Sequence, residues 1–449
     1  MICRDLAHWA RGESWDKLTP AVQEKMRLLL IDTLGCAVAG RDHPAAQKSA
    51  RVAAGSFAGP PQATGLTSGA ALTVFGAMLD SGAAIRALDL NDIYWGRASG
   101  GHPSDIFAAG LAIAEQQNAS IGELLCAVAA GYELYIRIAD VLQFRPIFDH
   151  TTATCMGAAM IAGCLRKLDE DAFAHGLAMA FASSPRLSIL RRGHVSEVKA
   201  PAPAMAQVSG VLAMDLGAGG VTGPVDGIDG EFGVSVMFRP GTSVASLKPE
   251  EPSARVLDVA IKRYPCIGTG QSTVASAIAL REKLSGRLDR VKSFHVRVAD
   301  DDVARGQTGE VYRDPDNRET ADHSLWSLFS MALVEGRLTP QMFAARRWKD
   351  ADARAVVAKT TMAADLPGEE SGRLSAAARA MLDDGTVVEV VTDYTPGHPK
   401  NPLSVAGVEG KFREAVVPIL GASKVEAALG AWRAATSATP VRTFLRNFF

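Results

Sequence analysis

The first half of the 449-residue sequence is a succession of apolar segments with helical spacing. Thr19-Pro20 predicts a helix start, with Thr as the N-cap and Pro in the first turn, and Gly40 predicts the end of that helix. Ser120-Ile121-Gly122-Glu123 is a capping box ahead of another apolar run. Ala and Gly recur at positions that would let neighbouring helices approach closely. The segments therefore predict a large domain of packed helices, with further members near residues 67–84, 105–117, 151–165, 169–182 and 202–215.

The pattern changes to that of strands after about Gly241. Polar and apolar residues alternate over 293–298, which is the period of a half-buried strand. Asp384-Gly385 is a hairpin turn signal, and the β-branched run 386–392 follows it. The segment 374–382 stays ambiguous, because its alanines favour a helix whereas the turn after it favours a strand. The second part of the chain is therefore predicted to be α+β.

These patterns predict a multidomain fold. A large all-α domain is expected over residues 1–261, and a smaller α+β domain over 262–402, in which 324–335 forms a helix. Residues 403–449 are predicted to be a helical return to the first domain.

Charge and cysteine usage exclude several classes of protein. The 47 basic and 49 acidic residues nearly cancel, so nothing indicates binding to nucleic acid or to an acidic membrane. The six cysteines show no C-x-x-C pair and no zinc-finger spacing, which predicts free, mostly buried thiols. No apolar run reaches the roughly 18 residues of a membrane helix, and the N-terminus lacks the apolar core of a signal peptide. We expect a cytoplasmic protein without a membrane partner.

Proton-handling side chains are concentrated between two of the predicted helices. Residues 87–95 contain two carboxylates, an amide and a phenol, and 101–105 adds an imidazole and a third carboxylate. One interpretation is that such residues only cap helices, and Ser104 is predicted to cap a helix that begins near Asp105. Capping does not account for the whole set. The segment is therefore predicted to be catalytic.

A second segment concentrates positive charge, since it contains Arg186, Arg191, Arg192, His194 and Lys199. Neighbouring Gly and Pro residues predict a shaped loop rather than a helix face. The segment lacks the interleaved aromatic residues on which single-stranded nucleic acid stacks. A solvated helix end is the alternative, but a compact cationic loop is well suited to hold a small polycarboxylate through charge-assisted hydrogen bonds.

The order of several motifs resembles that of the MmgE/PrpD family, which includes 2-methylcitrate dehydratases, cis-aconitate decarboxylases and iminodisuccinate epimerases. The first motif is D-L-N-D at 89–92, followed by an aromatic pair and by G-H-P-S-D at 101–105. Other matching segments follow in the same order along nearly the whole chain, at 30–35, 262–266, 271–272, 314–315, 321–325 and 397–404. The resemblance implies a helical domain with an α+β lid, an active site in the cleft between them, a homodimer, and activity without a metal or other cofactor.

The resemblance also implies roles for individual residues. Asp89, His102, His150 and Lys199 occupy the positions of the family's catalytic residues. Six further positions are expected to contact substrate: Asn91, Ile93, Arg192, Gln271, Tyr312 and His323. His150 taken alone is also typical of a satisfied core histidine. His102 and His150 are both expected to transfer protons, and which of them is the base stays open.

The predicted function is dehydration of a small hydroxy di- or tricarboxylate by a cofactor-independent lyase similar to 2-methylcitrate dehydratase. Removing a proton next to a carboxylate and expelling hydroxide needs a base, an acid and a cationic clamp. The alternatives are cis-aconitate decarboxylation or dicarboxylate epimerisation on the same scaffold, and carboxylate binding without catalysis. Ile93 stands where the family usually has Thr, so both the substrate and the reaction stay open.

Overall fold

The computed structural model describes residues 1–96, 100–142, 147–191, 195–367 and 374–448. The chain forms two compact units. The first consists of Met1–Val259 and Ser404–Phe449, and the second of Ala260–Leu403. The larger unit is mostly helical and the smaller one contains a mixed sheet, which confirms the predicted fold class.

The first part of the larger unit contains nine helices and four very short strands within the described ranges. The helices are α1 (Ile2–Gly12), α2 (Pro20–Gly40), α3 (Pro44–Ser56), α4 (Val74–Ala87), α5 (Phe107–Gln116), α6 (Ile121–Val141), α7 (Thr151–Leu165), α8 (Glu170–Ser183) and α9 (Ala202–Ala218). The strands pair as two small antiparallel hairpins, β1 (Ala63–Thr64) with β2 (Ala71–Leu72) and β3 (Tyr94–Trp95) with β4 (Gly100–Gly101).

The start signals in the sequence act as predicted in two of these helices. The Thr19 side chain accepts a hydrogen bond from the backbone N–H of Val22 at the start of α2. Both hydrogen bonds of the Ser120–Glu123 capping box form at the start of α6. The predicted helix over 67–84 is wrong at its beginning, because β2 occupies part of that segment and Thr73 caps α4 through its side chain.

Close helix packing depends on small residues, as the composition predicted. At Gly210 in α9, a Cβ atom would overlap the carbonyl oxygen of Cys155 in α7. The two helices can therefore approach so closely only because this position has no side chain. All four alanines of α7 are fully buried in the same interior.

The smaller unit is built on a four-stranded sheet with the strand order β6-β5-β7-β8. Its strands are β5 (Val291–Ala299), β6 (Thr360–Leu366), β7 (Ala376–Leu382) and β8 (Val387–Thr392). Its helices are α10 (Gly270–Leu284), α11 (Asp302–Gln307), α12 (Arg318–Ala321), α13 (Leu325–Glu335), α14 (Pro340–Ala344) and α15 (Ala351–Ala358).

The strand predictions are confirmed in this unit. The ambiguous segment 374–382 forms β7, which pairs antiparallel with both β5 and β8. Its alanines are buried on the sheet, so tertiary packing overrides their helix propensity. The hairpin turn between β7 and β8 contains Gly385 with φ 84°, a conformation that Gly adopts without steric cost. β6 pairs parallel with β5 and makes the sheet mixed.

The chain then returns to the larger unit through α16 (Val405–Leu420), α17 (Ala422–Ala434) and α18 (Val441–Leu445). Lys411 in α16 forms a buried ion pair with Asp32 in α2, with 2.6 Å between Nζ and Oδ1. Its ammonium also donates to the carbonyl oxygen of Leu90 at 2.8 Å. The return helix therefore helps to hold the turn in which the candidate site lies.

All six cysteines are free, and five of them are buried, as predicted. Within the described ranges, no helix is both long and apolar enough to cross a membrane.

Candidate functional site

The turn that follows α4 contains a buried carboxylate between two cations. Asp89 is fully buried and has a left-handed backbone, with φ 51°. Arg86, in the last turn of α4, forms a two-pronged ion pair with it, with N–O distances of 3.0 and 3.1 Å. The Lys199 ammonium lies 3.0 Å from Asp89 Oδ2. Two cations thus share one carboxylate, so the three side chains together carry a net positive charge.

Lys199 is positioned by the loop that precedes α9. It ends a 3-10 turn at Glu197–Lys199 and is 2% exposed. The Arg191 guanidinium donates to the carbonyl oxygen of Lys199 at 3.1 Å and also to Asp149 Oδ2 at 3.1 Å. Burial alone would raise the pKa of Asp149, but the Arg191 cation and hydrogen bonds from Thr151 hold that pKa below its ordinary value. Arg191 therefore connects the Lys199 loop to the start of α7 through hydrogen bonds.

His102 follows the β3–β4 hairpin and contacts both the carboxylate and its cation. Its Nδ1 lies 2.6 Å from the carbonyl oxygen of Asp92. Its Nε2 lies 3.0 Å from Arg86 Nη2 and 3.9 Å from Asp89 Oδ1. The ring is buried at 6% exposure. A titratable base is thus held beside the Asp89 ion pairs.

A network of buried polar side chains stabilises the loop between the hairpin and α5. Asp92 accepts hydrogen bonds from the Ser104 backbone N–H and hydroxyl and from the Tyr132 hydroxyl. The Asn91 amide donates to Ser104 Oγ at 3.0 Å and to Asp105 Oδ1 at 2.9 Å. The prediction that Ser104 caps a helix is wrong, because its hydroxyl is used in this network and the 3-10 turn Pro103–Ile106 has no side-chain cap.

Burial dominates the ionisation of the two carboxyl groups in this network. It raises the pKa of Asp92 to about 6 and that of Asp105 to about 7. The Arg86 and Arg191 cations lower the pKa of Asp105, but their effect is smaller than that of desolvation. Near neutral pH the network therefore carries less negative charge than its composition indicates.

His150 and Tyr135 complete the buried cluster. The Tyr135 hydroxyl lies 3.1 Å from the backbone N of His102 and 3.2 Å from His150 Nδ1. A Cβ at Gly101 would overlap this hydroxyl, so the contact requires glycine there. The two imidazole rings meet edge to face, with 5.2 Å between their centroids. Burial lowers the pKa of His150 to about 3.

The larger unit thus brings together the four residues predicted to be catalytic, Asp89, His102, His150 and Lys199. Asn91 is fully buried and its amide is used within the loop network. Ile93 is buried at 7% exposure. Arg192, like His194, lies outside the described residues. A contact of Asn91, Ile93 or Arg192 with substrate stays a prediction.

The remaining predicted residues lie in the smaller unit. The Gln271 amide contacts the backbone of 263–266 through both its oxygen and its nitrogen, which fixes the start of that unit. His323 is buried, with its Nδ1 2.5 Å from Asp322 Oδ1. The Ser324 hydroxyl next to it donates to the carbonyl oxygen of Tyr312 at 2.5 Å. The residue that follows His323 is therefore hydrogen-bonded to the backbone of Tyr312. A contact of Tyr312 or His323 with substrate stays a prediction.

Sequence reasoning missed two members of the cluster, Arg86 and Tyr135, and named Arg191 only as part of the basic segment. Arg86 had a detectable signal, because it is a basic residue in the last turn of a mostly apolar helix, three residues before Asp89. Tyr135 lies in the middle of the apolar run that forms α6 and carries no local signal. The basic segment as a whole was expected to be one patch, but Arg186 instead contacts Ser209 in α9.

Comparison with known proteins gives a consistent result over both units. The MmgE/PrpD N-terminal domain model matches residues 4–246, and the MmgE/PrpD C-terminal domain model matches residues 264–433. One curated relative, Alkylcitrate dehydratase phiI from Fungal sp. (strain ATCC 74256), is 26% identical over 432 residues. The alignment covers 87% of this chain and 82% of that relative.

Proposed function

The chain belongs to the MmgE/PrpD family, and from this premise we propose that it is a lyase that dehydrates a small hydroxy di- or tricarboxylate, 2-methylcitrate or a related alkylcitrate. The observation that carries the proposal is the buried cluster in which Arg86 and Lys199 share the Asp89 carboxylate beside two imidazoles. The similarity to a relative described as an alkylcitrate dehydratase supports the same substrate class.

The cluster contains the groups that dehydration requires. The reaction removes a proton from the carbon next to a carboxylate and breaks the C–O bond on the neighbouring carbon. A base must accept the first proton, and an acid must protonate the departing hydroxyl, because hydroxide is a poor leaving group. Cations must also stabilise the charge that grows on the substrate carboxylate during proton removal.

Each requirement has a candidate among the described residues. The imidazoles of His102 and His150 are the candidate bases. The Lys199 ammonium, 3.0 Å from Asp89, can donate a proton to the hydroxyl, which leaves as water. The cycle balances when the proton taken by the base passes back to Lys199. Arg86 offers a planar guanidinium to a substrate carboxylate, and Asp89 keeps both cations in position.

Ile93 gives a specific reason to retain a second candidate reaction. The family usually has Thr at this position, and a hydroxyl is a natural donor to a substrate oxygen. A substrate contact with Ile93 would instead be apolar. Such a contact would favour a substrate that carries an alkyl group, or a different reaction on a dicarboxylate, decarboxylation or epimerisation. Changing Ile93→Thr should preserve or raise activity if the usual family substrate is used. A collapse of activity on that substrate would indicate a pocket adapted to another compound.

Ultraviolet absorbance of the protein mixed with 2-methylcitrate tests the proposal, because the product is a conjugated alkene. We expect the absorbance to rise with time. Lys199→Met should slow the rate of this rise by about 10²–10³-fold, the usual effect of losing a charged transition-state contact. The matched control is Lys167→Met, since Lys167 is an exposed lysine that pairs with Glu123 at the surface. A flat trace with thermal stabilisation by the compound would contradict dehydration and favour a decarboxylase, an epimerase or a binder without catalysis.

A further inference from the structure

The contacts of His102 fix the position of its proton. Nδ1 lies 2.6 Å from a backbone carbonyl oxygen, that of Asp92, and a carbonyl can only accept. Nε2 lies 3.0 Å from Arg86 Nη2, and a guanidinium can only donate. Both contacts require the same neutral tautomer, with hydrogen on Nδ1 and a lone pair on Nε2.

The contacts of Tyr135 fix the opposite arrangement in His150. The backbone N–H of His102 donates to the Tyr135 oxygen, so the hydroxyl hydrogen needs an acceptor of its own. His150 Nδ1, at 3.2 Å, provides one. Burial raises the pKa of Tyr135 well above its ordinary value, so the phenol keeps this hydrogen. If Nδ1 accepts, the neutral His150 ring carries its hydrogen on Nε2, an atom that is buried and has no hydrogen-bond partner in the described part of the chain.

We propose that Arg86 and Tyr135 hold the two histidines in opposite tautomers, so that His102 is the base and His150 is a neutral hydrogen-bond donor. This assignment rests on the proposed dehydratase function. The Nε2 lone pair of His102 would accept the substrate C–H proton. The Nε2–H of His150 would donate to the substrate oxygen on which negative charge grows, without giving up its proton.

The surroundings of His150 keep the ring uncharged. Desolvation is the main cause of its lowered pKa, and the Arg191 and Arg86 cations act in the same direction. The carboxylates of Asp149 and Asp89 oppose them, but their effect is smaller than that of burial. A neutral donor suits a site with several cations, because an imidazolium there would add a further buried charge.

Arg86 has two successive tasks in this scheme. In the free protein its Nη2 covers the His102 lone pair while the same guanidinium holds Asp89. A substrate carboxylate is a stronger acceptor for a guanidinium than a neutral imidazole nitrogen is. Substrate binding would therefore draw Arg86 away from Nε2 and expose the base only when a substrate is present.

Histidine side-chain ¹⁵N–¹H correlation spectra of the full-length protein test the tautomers directly, and without turnover. His102→Asn and His150→Asn each remove one set of signals and so assign the two rings. We expect His102 to show the Nδ1–H pattern and His150 the Nε2–H pattern, with no protonation of His150 between pH 6 and pH 8.

Tyr135→Phe removes the hydroxyl that donates to His150 Nδ1, and the same spectra should then show both His150 tautomers. Its kcat should fall in proportion to the loss of the Nε2–H population that the spectra show, because only molecules with that donor would be fully active. Tyr132→Phe is the matched control, since this buried tyrosine on the same helix donates to Asp92 instead. It should leave the His150 tautomer unchanged.

An Nδ1–H or doubly protonated His150 in the parent protein would overturn the assignment even if the protein dehydrates its substrate. Conversely, absent turnover together with the expected spectra would contradict the dehydratase function and leave the tautomers standing.

Discussion

The stability of the Asp105→Asn variant relative to the parent should increase as the pH rises. Asp105 is 1% exposed, and Asn91 donates to its Oδ1 at 2.9 Å. Its Oδ2 is buried without a hydrogen-bond partner among the described residues. Asparagine keeps the acceptor that Asn91 needs and cannot ionise, so the change isolates the cost of a buried negative charge.

The sign and size follow from the raised pKa. Burial raises the pKa of Asp105 from 3.8 to about 7, so the folded protein binds a proton that the unfolded chain has already released. The stability that protonated Asp105 contributes is therefore fully present below about pH 4 and is lost as the pH rises through about 7. At about 1.4 kcal/mol for each pKa unit, the total loss is about 4 kcal/mol, of which about 3 kcal/mol falls between pH 5 and pH 8.

Urea unfolding followed by circular dichroism at pH 5 and pH 8 measures this difference. The free energy of unfolding of Asp105→Asn, minus that of the parent, should increase by about 3 kcal/mol from the lower to the higher pH. Asp92, whose pKa burial also raises, is present in both proteins and largely cancels. The exposed Asp16, changed to Asn in the same way, controls for the chemical substitution.

A constant difference across this pH range would refute the reasoning. It would mean that Asp105 is ionised in the folded protein at pH 5, and that the Arg86 and Arg191 cations outweigh desolvation.

Three further predictions concern stability. Asp89→Ala and Asp89→Gly lose the same carboxylate, but Ala must adopt the left-handed backbone at φ 51°. Thermal unfolding should therefore show that the Gly variant is more stable by about 1 kcal/mol, and equal stabilities would exclude strain at this residue. Lys411→Met removes the ion-pair partner of the buried Asp32 and should lower the free energy of unfolding, measured in urea, by about 3–5 kcal/mol. Adding Asp32→Asn should recover part of that loss, and strict additivity of the two changes would show that the two charges do not interact. Ser120→Ala removes the capping box of α6 and should cost about 1 kcal/mol by the same assay, and no change would mean that the cap contributes nothing.

Local signals in the sequence were sufficient for most of the architecture. Helix starts such as Thr19 and Ser120 could be predicted because a single side chain satisfies the first backbone N–H groups. The segment 374–382 could not be decided, because its strand state depends on pairing with β5, which lies about 80 residues earlier in the chain. Helix propensity, a local quantity, contains no information about such a partner.

The candidate site was predictable where its residues cluster in the sequence. Asp89 and His102 lie within one short loop, so their proximity follows from the chain itself. Arg86 gave a weaker signal, and Tyr135 gave none, because its role depends on the packing of α6 against the loop at Gly101. The ionisation of Asp105 also could not be predicted, since burial is a property of the folded unit.

The most direct test of the central proposal is ¹³C NMR of 2-methylcitrate incubated with the protein. Dehydration should replace the signals of two carbons, the hydroxyl-bearing carbon and the neighbouring carbon that loses its proton, by two alkene carbon signals, with all three carboxylates retained. His102→Asn should abolish this change. Loss of a carboxylate as carbon dioxide, or an unchanged spectrum while 2-methylcitrate still raises the melting temperature, would contradict the dehydratase assignment.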